Sequence, residues 1–165
     1  RSYIRLMARL VDHSFNEYLR VKELLDEEIK TNDKLTYRFE IINHLENCIN
    51  SINRVASIVD LVINGRRAKG KIIPGSHRGD IQLFTYIDSE LVEKIRKHSV
   101  IILRNRVEHI SEDIYQNIFI GGLFLDIDVK YKNICISKKC IEISKLAGMI
   151  EDYHHLVLSI LNNLR

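Results

Sequence analysis

The sequence predicts an all-α domain: an up-and-down four-helix bundle with a small β-hairpin before its last helix. Three observations lead there. The chain of 165 residues holds only one proline and seven glycines, and so few breakers favour long helices over a many-stranded sandwich that turns every few residues. Apolar residues recur at three- and four-residue spacing over most of the chain, the period of a helix with one buried face. Strict alternation, the strand period, is confined to one stretch before the last apolar stripe. The length suits one domain over residues 1–165 and is enough for a core without staples. A start at Arg1 rather than Met leaves room for a longer chain.

The first helix is expected from about Tyr3 to Lys30. Ile4, Met7, Leu10, Val11, Phe15, Tyr18, Leu25 and Ile29, with Leu24 beside them, form its stripe, and Asp26, Glu27 and Glu28 read as a solvated face. Thr31-Asn32-Asp33 supplies a turn. The second helix is expected from near Thr36 to Asn64-Gly65, on Phe39, Ile42, Leu45, Ile49, Ile52, Ala56, Val59 and Ile63, close to the seam of a long bundle helix. His44 and Cys48 sit four apart on it, and packing explains them better than a metal does.

Between Asn64 and Gly79 lie Arg66, Arg67, Lys69, Lys71 and Arg78, no acidic residue, four of the seven glycines and the one proline. The rest of the chain then carries a slight negative excess, so the net charge of +3 belongs to this segment. It reads as a flexible basic loop, able to hold phosphates without reading a sequence; a solvated loop that aids solubility is the competing reading. A short extended piece is expected over Ile81–Tyr86. Asp88 or Ser89 then caps a third helix that carries Leu91 and Ile95 and continues toward Tyr115. Gly122–Ser137 reads as the β-hairpin, from the alternation of Leu123, Leu125, Ile127 and Val129 and then of Ile134 and Ile136. The last helix is expected from Ser137 or Lys138 to Leu164.

Three cysteines, Cys48, Cys135 and Cys140, are too few for a disulfide framework and suit a reducing cytoplasm. Cys135 and Cys140 without a second pair give only a weak zinc pattern. The longest apolar run, Ile118–Leu125, is far short of the roughly 20 residues that span a bilayer, so no membrane partner is expected, nor is a secretory leader. Nucleotide-loop, nucleophile-elbow and metalloprotease patterns are absent from the sequence, and no cofactor is expected.

One polar cluster carries chemistry. Arg104-Asn105-Arg106-Val107-Glu108-His109 follows the apolar run Val100–Leu103. On a helix Arg104 and Glu108 share a face, as do Asn105 and His109, while Arg104 and His109 stand about 140° apart. A histidine exchanges a proton near neutral pH, and an arginine holds a phosphate through two bonds and stabilises charge building on phosphorus. Together they suit phosphodiester cleavage without a metal, the RNA 2′-OH being the nucleophile. An ordinary Arg104–Glu108 ion pair with an incidental His109 is the competing reading. His154-His155 reads as part of a solvated helix face, nothing fixes the geometry of His77, His13 and His98 read as incidental, and packing is the favoured role of Tyr115.

Arg104-Asn105-x-x-x-His109 within a helical bundle resembles the motif of the HEPN superfamily, an arginine, a polar residue and a histidine a few positions on. The motif is short, whereas the layout covers much of the chain. The resemblance implies a metal-independent endoribonuclease, often a toxin or anti-phage effector, that dimerises so that two motifs line one cleft. It implies transition-state stabilisation by Arg104, phosphate positioning by Asn105, acid–base work by His109 and support from Glu108. An antitoxin or regulatory partner belongs to the same picture. A branch of the family has a tyrosine two positions after the histidine; Ser111 stands there in this chain, so regulation by modifying that tyrosine is not expected. Some relatives are non-catalytic scaffolds or RNA binders, which keeps that alternative open.

Overall fold

The computed structural model describes residues 2–31, 34–64, 66–68, 71–73, 89–96, 125–128, 133–136 and 139–163. Among them the chain is predominantly helical. Helix α1 covers Ser2–Thr31 and α2 covers Lys34–Asn64, within two residues of the bounds expected at each end. Strands β1 (Arg66–Ala68) and β2 (Lys71–Ile73) follow, then α3 (Ser89–Arg96), β3 (Leu125–Asp128), β4 (Asn133–Ile136), β5 (Lys139–Glu142) and α4 (Ile143–Asn162).

Helices α1 and α2 run antiparallel. Ser14 meets Cys48 while Glu17, further along α1, meets His44, earlier on α2. Only two residues separate the helices, and so short a connection makes antiparallel neighbours. Helix α4 packs on α1, and α3 packs on α4. One core joins them: Ile4, Met7, Val21 and Leu24 from α1, Ile41, Leu45, Ile49, Ile52 and Val55 from α2, and Leu146, Ile150, Tyr153, Leu156 and Ile160 from α4. Ile134 of β4 and Ile95 of α3 seal its margins. No helix among the described residues is long and apolar enough to cross a membrane.

Several expectations need correction. Phe15, Ile29 and Phe39, placed in the core stripes by spacing, are exposed; Val21, Ile41 and Cys48 hold the buried positions instead. A three-and-four spacing fits either of two neighbouring stripes on a long helix, and the packing partner decides between them. Glu28, read as solvated, is buried. The basic segment is not wholly a loop. β1 and β2 pair antiparallel with Arg66 opposite Ile73, Arg67 opposite Ile72 and Ala68 opposite Lys71, leaving Lys69 and Gly70 between the strands.

The expected hairpin forms, Leu125 pairing with Ile136 and Asp128 with Asn133. It gains a third strand, so the sheet order is β3-β4-β5. β5 takes the residues expected to open the last helix, and α4 therefore starts at Ile143. The register sets Cys140 directly opposite Cys135, and the two form a disulfide. The three cysteines, read as too few for a disulfide framework, thus hold one bond, which removes their argument for a reducing compartment. The expected extended piece at 81–86 and the continuation of the third helix beyond Arg96 lie outside the described residues.

Candidate functional site

The residues that carry the sequence-based site fall in two groups. Arg104, Asn105, Glu108 and His109 lie outside the described residues, as do Lys69, Arg78 and Tyr115. Arg66, Arg67 and Lys71 are placed by the β1–β2 ladder, which holds the three positions within one short hairpin directly after α2. What the described residues bring together is a polar seam between α1 and α2 and an open groove between α1 and α4.

The seam is built from one turn of each helix. Glu17, with His13 one helical turn before it, faces α2, and His44 and Asn47 face back. His44 Nδ1 lies 2.8 Å from Glu17 Oε2, Asn47 Nδ2 donates to the same oxygen at 3.2 Å, and His13 Nδ1 is 4.0 Å from Glu17 Oε1. Burial works against the charge on Glu17, but the hydrogen bonds from His44 and Asn47 outweigh it and hold its pKa below the ordinary carboxylate value. Deeper in, Ser14 Oγ donates to the Cys48 carbonyl at 3.1 Å and lies 3.2 Å from its Sγ. Burial pushes the Cys48 thiol up to about 11, so it is a protonated packing group at neutral pH and no nucleophile.

A carboxylate on Nδ1 orients an imidazole, the arrangement that prepares a histidine for proton transfer. Here no activated nucleophile stands beside it among the described residues, and the bonds of Glu17 to His44 and Asn47 and of Ser14 to Cys48 link one helix to the other. The seam therefore fixes the register of the antiparallel pair. Sequence reasoning missed it because 27 positions separate Glu17 from His44; the His13–Glu17 spacing was the one local signal. Among the described residues no group of three His, Cys, Asp or Glu side chains is arranged to hold a metal ion.

The groove has a volume of ≈ 460 Å³, in the range of ligand sites. Val11, Phe15 and Tyr18 of α1 and Ala147 and Ile150 of α4 make its walls. Asp12, Glu151 and His154 stand at its rim. Phe15 is 48% exposed although an aromatic side chain of that size normally buries itself. The spacing of His154 from Glu151 and Ala147 puts all three on one face of α4, so His154, read from sequence as solvated, borders an apolar surface. His155 turns away and pairs with Glu151 at 3.7 Å.

A second tie, between an exposed and a buried group, holds α3 to α4: Lys94 Nζ lies 2.8 Å from Oδ1 of the buried Asp152. The bond to Asp152 raises the Lys94 pKa. It positions α3, the helix from which the chain leads toward Arg104.

No protein-family model, curated protein or solved structure matches the chain.

Proposed function

We propose that this chain is a HEPN-type endoribonuclease that cleaves RNA without a metal ion. The observation that carries the reading is the Arg104-Asn105-x-x-x-His109 spacing in a chain built on long helices. In this reading His109 takes the proton of the 2′-OH, which attacks the adjacent phosphorus. Arg104 stabilises the charge on the five-coordinate centre, Asn105 positions the phosphate, and Glu108 supports Arg104. The 5′-oxygen leaves with a proton, giving a 2′,3′-cyclic phosphate and a 5′-OH end. Each chain is an up-and-down four-helix bundle, and two copies bring their motifs to one cleft. That solves the separation of Arg104 and His109 around a single helix. The basic segment, with Arg66, Arg67, Lys69, Lys71 and Arg78, draws RNA toward the cleft by phosphate contacts. The activity is that of a cytoplasmic toxin or anti-phage effector under the control of an antitoxin or other regulatory partner.

The test is incubation of a mixed RNA pool with wild type and His109→Ala in EDTA, with mapping of the ends produced. Cleavage by wild type and none by the variant, at equal circular dichroism and equal mass in solution, is the expected result. Equal cleavage by both rejects the role of His109.

A second reading, a non-catalytic interaction module, is favoured by the open α1–α4 groove. It gives salt-sensitive RNA binding or none, and no turnover in either protein.

A further inference from the structure

Exposed apolar side chains continue the helix faces that wall the groove between α1 and α4. Leu19, one turn beyond Phe15, is 39% exposed, and Leu158, one turn beyond His154, is 41% exposed. The apolar strip therefore runs along α1 from Val11 to Leu19 and along α4 from Ala147 to Leu158. At 1.5 Å rise per residue that is about 12 Å on one side and about 16 Å on the other. A strip of that length between two helices fits two to three turns of a third helix laid into it, with anchors at i, i+3, i+4 and i+7. Phe15 and Tyr18 are the aromatic walls that carry most of the energy in such contacts.

The rim decides the sign of the partner. Asp12 and Glu151 flank the groove from opposite helices, with His154 one turn from Glu151, and no lysine or arginine among the described residues lines it. A second copy seated by two-fold symmetry would set this acidic rim against itself, since such an interface pairs the same patch on both chains. A basic flank meets it favourably. We propose that the α1–α4 groove is a docking site for a basic amphipathic helix of a partner protein, its apolar face on Phe15, Tyr18 and Leu158 and its lysines or arginines on Asp12 and Glu151. The proposal stands whether or not the chain cleaves RNA.

The probe is a fluorescein-labelled helical peptide of leucine and lysine, about three turns long with leucine at the four anchor positions, beside a counterpart with glutamate for every lysine. Binding to the full chain is read by anisotropy at physiological salt. The leucine–lysine peptide is expected to bind, and the leucine–glutamate peptide to bind at least roughly tenfold more weakly. Glu151→Lys is expected to weaken the first by roughly tenfold or more, and so is Phe15→Ser, an exposed position whose change leaves the fold intact by circular dichroism. Glu40→Lys, an exposed change on α2 away from the groove, leaves the affinity unchanged. Leu158→Ser serves as the second apolar variant. The proposal falls if wild type does not bind the leucine–lysine peptide, if both peptides bind alike, or if Glu40→Lys weakens binding as much as Glu151→Lys. It also falls if wild type is a dimer that Phe15→Ser converts to a monomer, for then a second copy occupies the groove.

Discussion

Replacing Ile41 by alanine and, separately, Phe39 by alanine sets the core observed in the structure against the one that spacing alone suggests. The two positions are two residues apart on α2, so local helix preferences are nearly shared. Ile41 is 0% exposed, whereas Phe39 is 56% exposed. Truncating Ile41 removes three carbons from the core, about 2.4 kcal/mol at about 0.8 kcal/mol for each buried methylene. The cavity left between α1 and α2 adds to that, bringing the expected loss to about 3–4 kcal/mol. Truncating Phe39 returns less than half of a phenyl ring to water and gains a few tenths of a kcal/mol from alanine's helix preference, for a net loss of about 1 kcal/mol. Urea unfolding followed by circular dichroism reads both. With a slope of about 2 kcal/mol per molar, the midpoint falls by about 1.5–2 M for Ile41→Ala and by about 0.5 M for Phe39→Ala, the slope itself unchanged. A Phe39→Ala loss equal to or larger than that of Ile41→Ala would refute this account of how α2 faces its partners.

Three further outcomes follow from the same structure. Glu17 has a folded pKa below its unfolded value, so its contribution is complete above the ordinary carboxylate range and drains away as pH falls through the folded value; unfolding free energies measured from pH 7 down to pH 3 should fall less steeply for Glu17→Gln than for wild type. The Cys135–Cys140 bond closes a ring with a sequence separation of five, for which chain entropy gives about 2 kcal/mol, and adding a phosphine reductant should lower the urea midpoint by a corresponding amount. Mass spectrometry after iodoacetamide counts the thiols directly: none should react in the native oxidised protein, two after reduction, and a third, Cys48, only after unfolding, because it is buried and its thiol stays protonated.

The long helices were legible because one period governs thirty residues at a stretch, and errors at single positions average out. Phe15 and Phe39 show where that stops. Each sits on a shoulder of its stripe, and only the position of the neighbouring helix decides whether a shoulder is covered. Short strands were harder. Arg66-Arg67-Ala68 carries charge where a strand signal would be sought, and Lys139-Cys140-Ile141-Glu142 is too brief to separate period two from the start of a helix. The disulfide depended on a register between β4 and β5 that spacing alone does not give. The Glu17–His44 seam and the α1–α4 groove join residues far apart in sequence, so no local pattern announces them. The Arg104–His109 motif is the opposite case, a local pattern legible in the sequence and lying outside the described residues.

Helix α1 is shared between two neighbours that reach it at very different times. Its contacts with α2 span a short connection, but about 110 residues separate its end at Thr31 from the start of α4 at Ile143. At a synthesis rate of about 5–20 residues per second, the roughly 80 residues from Asn64 to Ile143 leave the closed antiparallel pair waiting roughly 4–16 s before α4 begins to be made. Through that interval the α1 flank that α4 will cover, Val11 among it, stays open to water. A chain ordered this way relies on the polar seam of Ser14, Glu17, His44 and Asn47 to keep the early pair in register until its last helix arrives.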